Sequence, residues 1–212
     1  MESEHLLLLS GVVAGPLFIA VFLMEGVLRT GYDPLRQPVS ALSIGPRGWI
    51  QQANFFVTGG LNLTYAFGLS SALAAYGGSF WIPLLFGVYG AGLIGAGIFT
   101  TDVTGLMPVP RDRSQRTRAG ILHDICSLPV FVALFALGFL FANLFASAGE
   151  GGWATYSIVS SLVLAASFVL AGMGFSGPPR LQRFGGLFQR ISIIAGWGWL
   201  ALVGAHLLGV IA

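Results

Sequence analysis

The sequence has few charged residues, no lysine and a single cysteine. Only 8% of its 212 residues are charged, against about 25% in an average soluble domain. So few charges cannot cover a soluble globule, which excludes a soluble enzyme, a disordered chain and a nucleic-acid-binding protein. With Cys126 alone, the chain can form neither an internal disulfide nor a cysteine-rich metal site.

Long apolar runs are what the sequence has instead. Hydrophobic residues make up 55% of the chain and the mean hydropathy is +0.83. A helix needs about 20 apolar residues to cross a bilayer, and its backbone groups must bond within the segment. We therefore predict an all-α polytopic membrane protein, a six-transmembrane-helix bundle in one domain over residues 1–212. The six spans are predicted at about 6–28, 53–76, 80–100, 121–146, 153–175 and 191–211.

The basic residues predict the orientation of these spans. All ten are arginines: Arg29, Arg36, Arg47, Arg111, Arg113, Arg116, Arg118, Arg180, Arg183 and Arg190. They flank or occupy loops one, three and five, whereas loops two and four carry none. The positive-inside rule then places those three loops in the cytoplasm and both termini outside the plasma membrane. Loops one and three are also long, which is typical of functional connections, so we expect any site on the arginine side.

Polar residues recur along the second span. Gln51, Asn54, Thr58, Asn62 and Tyr65 follow one another at spacings of three or four, so they share one helical face. Such a face is costly against lipid and must point into the bundle. Two interpretations remain open: hydrogen bonds between helices, or a ligand cavity in which Asn54, Thr58 and Asn62 contact the ligand.

Acids and a histidine cluster at the ends of spans three and four. His123 and Asp124 open the fourth span, Asp102 closes the third, and Ser40 lies in loop one. A histidine beside carboxylates can transfer protons. We therefore predict His123, Asp102, Asp124 and Ser40 as catalytic residues. The alternative is structural, because an acid near a helix N-terminus is favoured by the helix dipole.

Three further residues near loop one are candidate lipid contacts. Glu25 lies about a turn inside the end of span one, and Arg29 follows at i+4, so either a self-contained ion pair or a contact to a lipid headgroup is possible. Asp33 and Arg36 lie in the loop itself, where an arginine can bind lipid phosphate or serve only as a topology signal.

The predicted location in a membrane also predicts the kinds of partner. Membrane lipids are expected, together with a second copy of the chain or another membrane protein, and no nucleic acid. Gly11 and Gly15 form a GxxxG pair that favours packing within the bundle, with a dimer face as the alternative. No cofactor and no metal are indicated, because His206 and His123 belong to opposite membrane sides and the histidines cannot converge on one ion.

Particular stretches also resemble a known family. They are Tyr32-Asp33-Pro34-Leu35, Pro38-Val39-Ser40-Ala41-Leu42-Ser43, Ala53-Asn54-Phe55 with Gly59 and Gly60 after it, and Leu122-His123. With its six spans, the chain resembles a bacterial and archaeal membrane family catalogued only as a domain of unknown function, the 998 family. That family is distantly similar to the Frag/DRAM membrane superfamily, which includes a factor for lipid remodelling of GPI anchors.

Three functions are compatible with these features. The first is a lipid-handling or lipid-modifying protein acting at the arginine side, which the superfamily resemblance and the polar residues at one interface favour. The second is a non-catalytic membrane scaffold or assembly partner. The third is a small transporter that uses the polar face of span two. The sequence leaves open whether the protein is an enzyme.

Overall fold

The computed structural model describes residues 2–102, 116–176 and 178–209, and the described chain is helical. Six helices are long: α1 (Glu2–Leu28), α2 (Gly48–Ala72), α3 (Trp81–Ile98), α4 (Arg118–Ser147), α5 (Gly151–Ser176) and α7 (Gly185–Leu207). The short helix α6 (Pro179–Gln182) precedes α7, and 3₁₀ turns form at Val39–Ser43 and Leu73–Tyr76. The predicted all-α bundle of six long helices is confirmed.

Five of the described helices, α1, α3, α4, α5 and α7, are long and apolar enough to cross a membrane. The helix α2 has the length, 25 residues, but is not among them, because polar residues are spread along it. It packs against both α1 and α3. The protein is therefore a multi-pass membrane protein in which the most polar long helix is supported by two apolar neighbours.

The six long helices form a closed ring. Each packs against the next along the chain, from α1 to α5 and then α7, and α7 packs against α1. Trp197 of α7 lies at the centre, where its ring centroid is 5.5 Å from Phe18 of α1, 5.3 Å from Tyr89 of α3 and 5.7 Å from Phe131 of α4. One aromatic side chain thus joins α7 to three other helices of the ring.

Glycines allow α1 to approach its neighbours closely. A Cβ added to Gly15 would overlap the backbone carbonyl of Trp197, and one added to Gly11 would lie 2.5 Å from the ring of Tyr65. Small residues at i and i+4 permit such contacts between membrane helices. Both glycines therefore serve packing within the bundle, as the sequence favoured.

Two helices, α2 and α7, begin well before their predicted starts. The helix α2 begins at Gly48 rather than near residue 53, because the tight turn before it, closed by the bond from Gly48 N to Gly45 O at 2.9 Å, leads directly into the helix. The helix α7 begins at Gly185 rather than near residue 191, and its first turn is held by loop one: Leu187 N donates to Leu35 O at 3.0 Å. The predicted end of the last span at 211 falls outside the described residues.

Candidate functional site

The described arginines gather at one end of the bundle, here called the arginine-rich end. This end carries the α1–α2, α3–α4 and α5–α7 connections. Contacts across it are direct: Arg190, near the start of α7, donates to Pro34 O in loop one at 2.6 Å. Asp102, after α3, accepts from Thr117, before α4. Arg111 and Arg113 of loop three lie outside the described residues.

Loop one folds over the arginine-rich end and enters the bundle. Its 3₁₀ turn, Val39–Ser43, is largely buried. Val39 N donates to the side-chain oxygen of Gln189 at 2.7 Å, and the buried guanidinium of Arg190 reaches Gln37 O at 3.1 Å. Helix α7 therefore fixes the position of loop one.

Arg190 is held by neutral groups. Its Nη2 donates to the hydroxyl of Tyr32 at 2.5 Å, and that hydroxyl donates to Pro38 O at 3.0 Å. Burial raises the pKa of Tyr32, against the opposing effect of Arg190, so the phenol remains a hydrogen-bond donor. The sequence predicts Arg190 in loop five, and nothing in the local pattern indicates that it holds loop one. Arg190 lies about a turn inside α7 because the helix begins at Gly185, earlier than the sequence predicts.

Glu25 is a structural ion-pair centre. Its side chain is 4% exposed and its carboxylate pairs with Arg47 and with Arg29, whose Nη2 lies 3.3 Å from Oε2. Arg29 also donates to Ile44 O at 2.8 Å. The i,i+4 ion pair suggested by the sequence is present, and it ties the end of α1 to both ends of loop one. A role for Glu25 as a headgroup contact stays a prediction.

Asp33 and Arg36 lie on the surface of loop one. Their side chains are about half exposed and form an ion pair with 3.5 Å between Arg36 Nε and Asp33 Oδ2. Asp33 also accepts from Leu35 N at 3.0 Å, which stabilises the turn. Neither residue lines the cavity described below, so their assignment as lipid contacts stays a prediction.

The polar face of α2 points into the bundle, as predicted. All five of its residues are buried. Asn54 Nδ2 donates to Phe18 O of α1 at 3.1 Å, whereas Asn62 Nδ2 donates within α2, to Thr58 O at 2.8 Å. The face therefore forms fewer hydrogen bonds between helices than the packing interpretation requires.

Buried polar atoms without a hydrogen-bond partner concentrate on this face. Among the described residues they are Gln51 Nε2, Asn54 Oδ1, Thr58 Oγ1, Asn62 Oδ1 and the hydroxyl of Tyr65 on α2, with the hydroxyl of Tyr89 on α3 and Nε1 of Trp197 on α7. Each such atom costs about 1–3 kcal/mol relative to a bonded one. The centre of the ring thus contains an unusually polar strip.

A cavity of about 620 Å³ opens at the arginine-rich end. Its lining comes from α1, loop one, α2, α3, α4, α5 and α7 together with residues flanking loop three. The four residues predicted as catalytic, Ser40, Asp102, His123 and Asp124, all line it. The structure thus brings together groups that are up to 84 residues apart in the sequence. Asn54, Thr58 and Asn62 are not part of the lining.

Asp102 closes the gap between α3 and α4. Its two oxygens accept from Thr117, from the backbone N at 3.2 and 3.3 Å and from the hydroxyl at 2.6 Å. Thr117 in turn caps α4 by accepting from Gly120 N at 3.0 Å. Arg116 pairs with Asp124 and lies 4.0 Å from Asp102. At the cavity mouth, both carboxylates are therefore already engaged.

His123 is buried at the cavity wall, where its ring meets the end of α3. Its Nδ1 lies 3.1 Å from Ala96 O and 2.8 Å from Phe99 O. Carbonyl oxygens only accept, so Nδ1 carries a proton and, in the neutral ring, Nε2 is an acceptor. No described residue bonds to Nε2. His123 therefore supplies the cavity with an oriented acceptor.

The deeper part of the cavity is aromatic. Its rings are Phe18, Phe55, Phe131, Phe168 and Trp197. Phe131 stacks on Phe168 with 4.2 Å between centroids, and Phe18 lies 5.5 Å from both Phe55 and Trp197. These rings form a continuous apolar floor beneath the polar mouth.

The cavity also reaches the outer surface of the bundle. Its lining includes Leu128 of α4, which is 54% exposed, and Gly172 of α5, which is exposed as well. Both helices are long and apolar enough to cross a membrane. The cavity thus opens both at the arginine-rich end and on the outer surface of the bundle, at α4 and α5.

A second polar cluster lies at the opposite end and was not expected from the sequence. Glu150 accepts from the hydroxyl of Tyr76 at 3.3 Å, and its Oε2 lies 2.6 Å from Nε2 of His206. The ring of Trp153 stacks on His206 at 4.3 Å. This cluster ties the α4–α5 connection to the ends of α2 and α7.

Comparison with known proteins identifies the family of this chain but no activity for it. The sequence profile of a family described as protein of unknown function (DUF998) matches residues 12–206. No curated protein and no solved structure matches the chain at a significant level. The likeness to the Frag/DRAM superfamily stays a prediction.

Proposed function

Since this chain belongs to the DUF998 family, whose function is unknown, we propose from its geometry that it binds an amphipathic lipid at the arginine-rich end. The observation that carries this proposal is the cavity of about 620 Å³ with a polar mouth and an aromatic floor. Cavities of this volume are typical of small-molecule sites. A ligand with a polar head and a hydrocarbon part matches both halves of the lining.

The lateral opening supports the choice of a lipid over a soluble metabolite. Leu128 and Gly172 are exposed on membrane-crossing helices and also line the cavity. A lipid can therefore enter from the bilayer without leaving the hydrocarbon. Loop one, fixed by α7, covers the polar end through Pro38, Val39 and Ser40.

Lipid handling is better supported than lipid modification. Asp102 and Asp124 are engaged with Thr117 and Arg116, which makes them positioning groups at the mouth. His123 is the group best placed to accept a proton from a ligand, because Nδ1 is fixed by carbonyls of α3. A modifying reaction would rely on His123, with Ser40 of the same lining as the candidate nucleophile.

The experiment is native mass spectrometry of the gently purified protein with identification of the bound lipid. We expect one defined species rather than the bulk lipid mixture. Gly172→Phe places a ring at the lateral opening and is expected to abolish retention. Gly87→Phe is the matched control, because a Cβ at either glycine meets no atom within 4 Å and Gly87 lies outside the lining.

Two outcomes would contradict the proposal. Purified protein that carries only bulk lipid would show that the cavity does not select a ligand. A species retained equally by both phenylalanine variants would show that it binds elsewhere on the bundle.

The proposed orientation places the arginine-rich end in the cytoplasm and both termini outside. The support is the distribution of the ten arginines among the odd-numbered loops. A reporter enzyme that is active only outside the cytoplasm, fused after Ala212, is expected to be active. Activity of a cytoplasm-only reporter at the same position would reverse the assignment.

A small transporter is the second candidate function. It is favoured by the strip of unpartnered polar atoms on α2, because a path for a polar solute needs hydrogen-bonding groups that are not already paired. The strip includes Trp197, which also forms part of the cavity floor. Thr58→Val, which removes one of these unpartnered hydroxyls, tests this alternative.

A further inference from the structure

The chemistry of the ligand's polar end can be narrowed further, on the premise that the cavity binds a lipid. The charged residues of the described lining are Asp102, Arg116 and Asp124. Arg116 bonds to Asp124 and lies 4.0 Å from Asp102, so its charge is already balanced. The three residues together carry a net negative charge. A phosphate headgroup would therefore face carboxylates without a free cation among the described lining residues.

The uncharged part of the polar lining suits a hydroxyl group. His123 offers Nε2 as an acceptor, since Nδ1 is committed as donor to Ala96 O and Phe99 O. Gln189 has its oxygen bonded to Val39 N at 2.7 Å, which leaves its NH₂ group to donate. A hydroxyl both donates and accepts, so it can satisfy both kinds of group. An ionised phosphate oxygen only accepts, so it cannot bond to Nε2 while the ring carries its proton on Nδ1 alone.

The floor of the cavity fits the hydrocarbon part of the same ligand. Phe131, Phe168, Phe18 and Trp197 present their rings within 4.2–5.7 Å of a neighbouring ring in the group. Such a surface contributes through burial of apolar area, without charge. The floor is therefore uncharged and apolar, whereas the uncharged polar groups above it can donate and accept hydrogen bonds.

We propose that the ligand is an uncharged lipid alcohol whose hydroxyl donates to Nε2 of His123 and whose hydrocarbon part lies on the aromatic floor. This inference rests on the proposed lipid-binding function. Among the described lining residues it favours an alcohol over a phosphorylated lipid, and it names His123 as the residue that distinguishes them.

The test compares two lipids with identical chains, dioleoylglycerol and dioleoyl phosphatidic acid. The full-length protein is incubated with an equimolar mixture in micelles, and the retained lipid is measured by native mass spectrometry. We expect dioleoylglycerol to be retained at least about tenfold more than phosphatidic acid, since like charges brought together at a binding site are strongly unfavourable.

His123→Asn is the decisive variant. The asparagine amide can keep the donor that bonds the end of α3, but it removes Nε2 from the cavity. Loss of one hydrogen bond is expected to reduce dioleoylglycerol retention about five- to tenfold. His206→Asn makes the same change at the opposite end and is expected to retain the lipid like the wild type.

The outcomes separate this inference from the broader proposal. Preferential retention of phosphatidic acid would overturn the alcohol assignment and leave lipid binding intact. Unchanged retention in His123→Asn would remove His123 as the anchor and overturn the inference too. Retention of neither lipid above bulk, together with no defined endogenous species, would overturn lipid binding itself.

Discussion

Thr58→Val tests whether the buried polar face of α2 is only packed core or binds water or a polar solute. Thr58 is fully buried and its hydroxyl has no hydrogen-bond partner among the described residues. Valine has nearly the same shape and replaces that hydroxyl with a methyl group. If the strip is only packed core, the substitution removes an unsatisfied polar atom, so the protein should become more stable.

The magnitude follows from the cost of the unpaired group. A buried unsatisfied hydroxyl costs about 1–3 kcal/mol in soluble proteins. The unfolded reference in a micelle also shields polar groups, and hydrogen bonds between membrane helices average only about 0.6 kcal/mol. We therefore expect the free energy of unfolding to rise by about 1 kcal/mol.

The assay is reversible unfolding in mixed micelles titrated with sodium dodecyl sulfate. Thr64→Val is the matched control on the same helix, because the Thr64 hydroxyl donates to Gly60 O at 3.0 Å. Its loss is expected to change the free energy of unfolding by about 0.6 kcal/mol or less, because even hydrogen bonds between membrane helices average only about that much.

A loss of stability in Thr58→Val of about 1 kcal/mol or more would refute the reasoning, because it would mean that the hydroxyl has a partner in the membrane. Water or a polar solute bound along α2 would be that partner. The transporter candidate would then gain support over a packed core.

Three further predictions concern the elements around the cavity. Gly120→Ala is expected to lower the melting temperature, because the added Cβ would overlap the carboxylate of Asp102. Gly87→Ala adds its Cβ in open space and should leave the melting temperature unchanged, so equal melting temperatures of the two variants would contradict this reasoning. Arg190→Met removes hydrogen bonds that hold loop one, so amide hydrogen exchange over residues 34–39 should accelerate while exchange in α5 stays unchanged. Slow exchange in that loop would show that its other contacts are enough to hold it. Glu150→Gln should lower thermal stability without affecting lipid retention, since its cluster lies at the opposite end; a loss of bound lipid would show that the two ends are coupled.

Much of the candidate site follows from local rules. Each helix end carries polar residues where the apolar run stops, and helices that alternate in direction bring every second connection to the same side. Those two facts were enough to place Ser40, Asp102, His123 and Asp124 at one end of the bundle, and the structure brings all four to one cavity. The inward direction of the α2 face likewise follows from its spacing and the cost of exposing it to lipid.

The roles of those residues depend on contacts that no local pattern contains. Whether Asp102 is free or engaged is decided by Thr117, fifteen residues later across loop three. Which nitrogen of His123 is available is decided by two carbonyls of another helix. Arg190, which the sequence shows only as another arginine near the membrane surface, bonds groups more than 150 residues away.

The amino-acid sequence is enough to predict a membrane bundle of six long helices, because the length and hydropathy of each apolar run are properties of a single segment. It is also enough to predict which end carries the arginines. Three features depend on the packing of the whole chain: the folding of loop one into that end, the amphipathic cavity there, and the polar atoms in it that remain available to a ligand. These features arise from packing between segments distant in the chain, where the partner of each group is chosen by the fold and not by its neighbours in sequence.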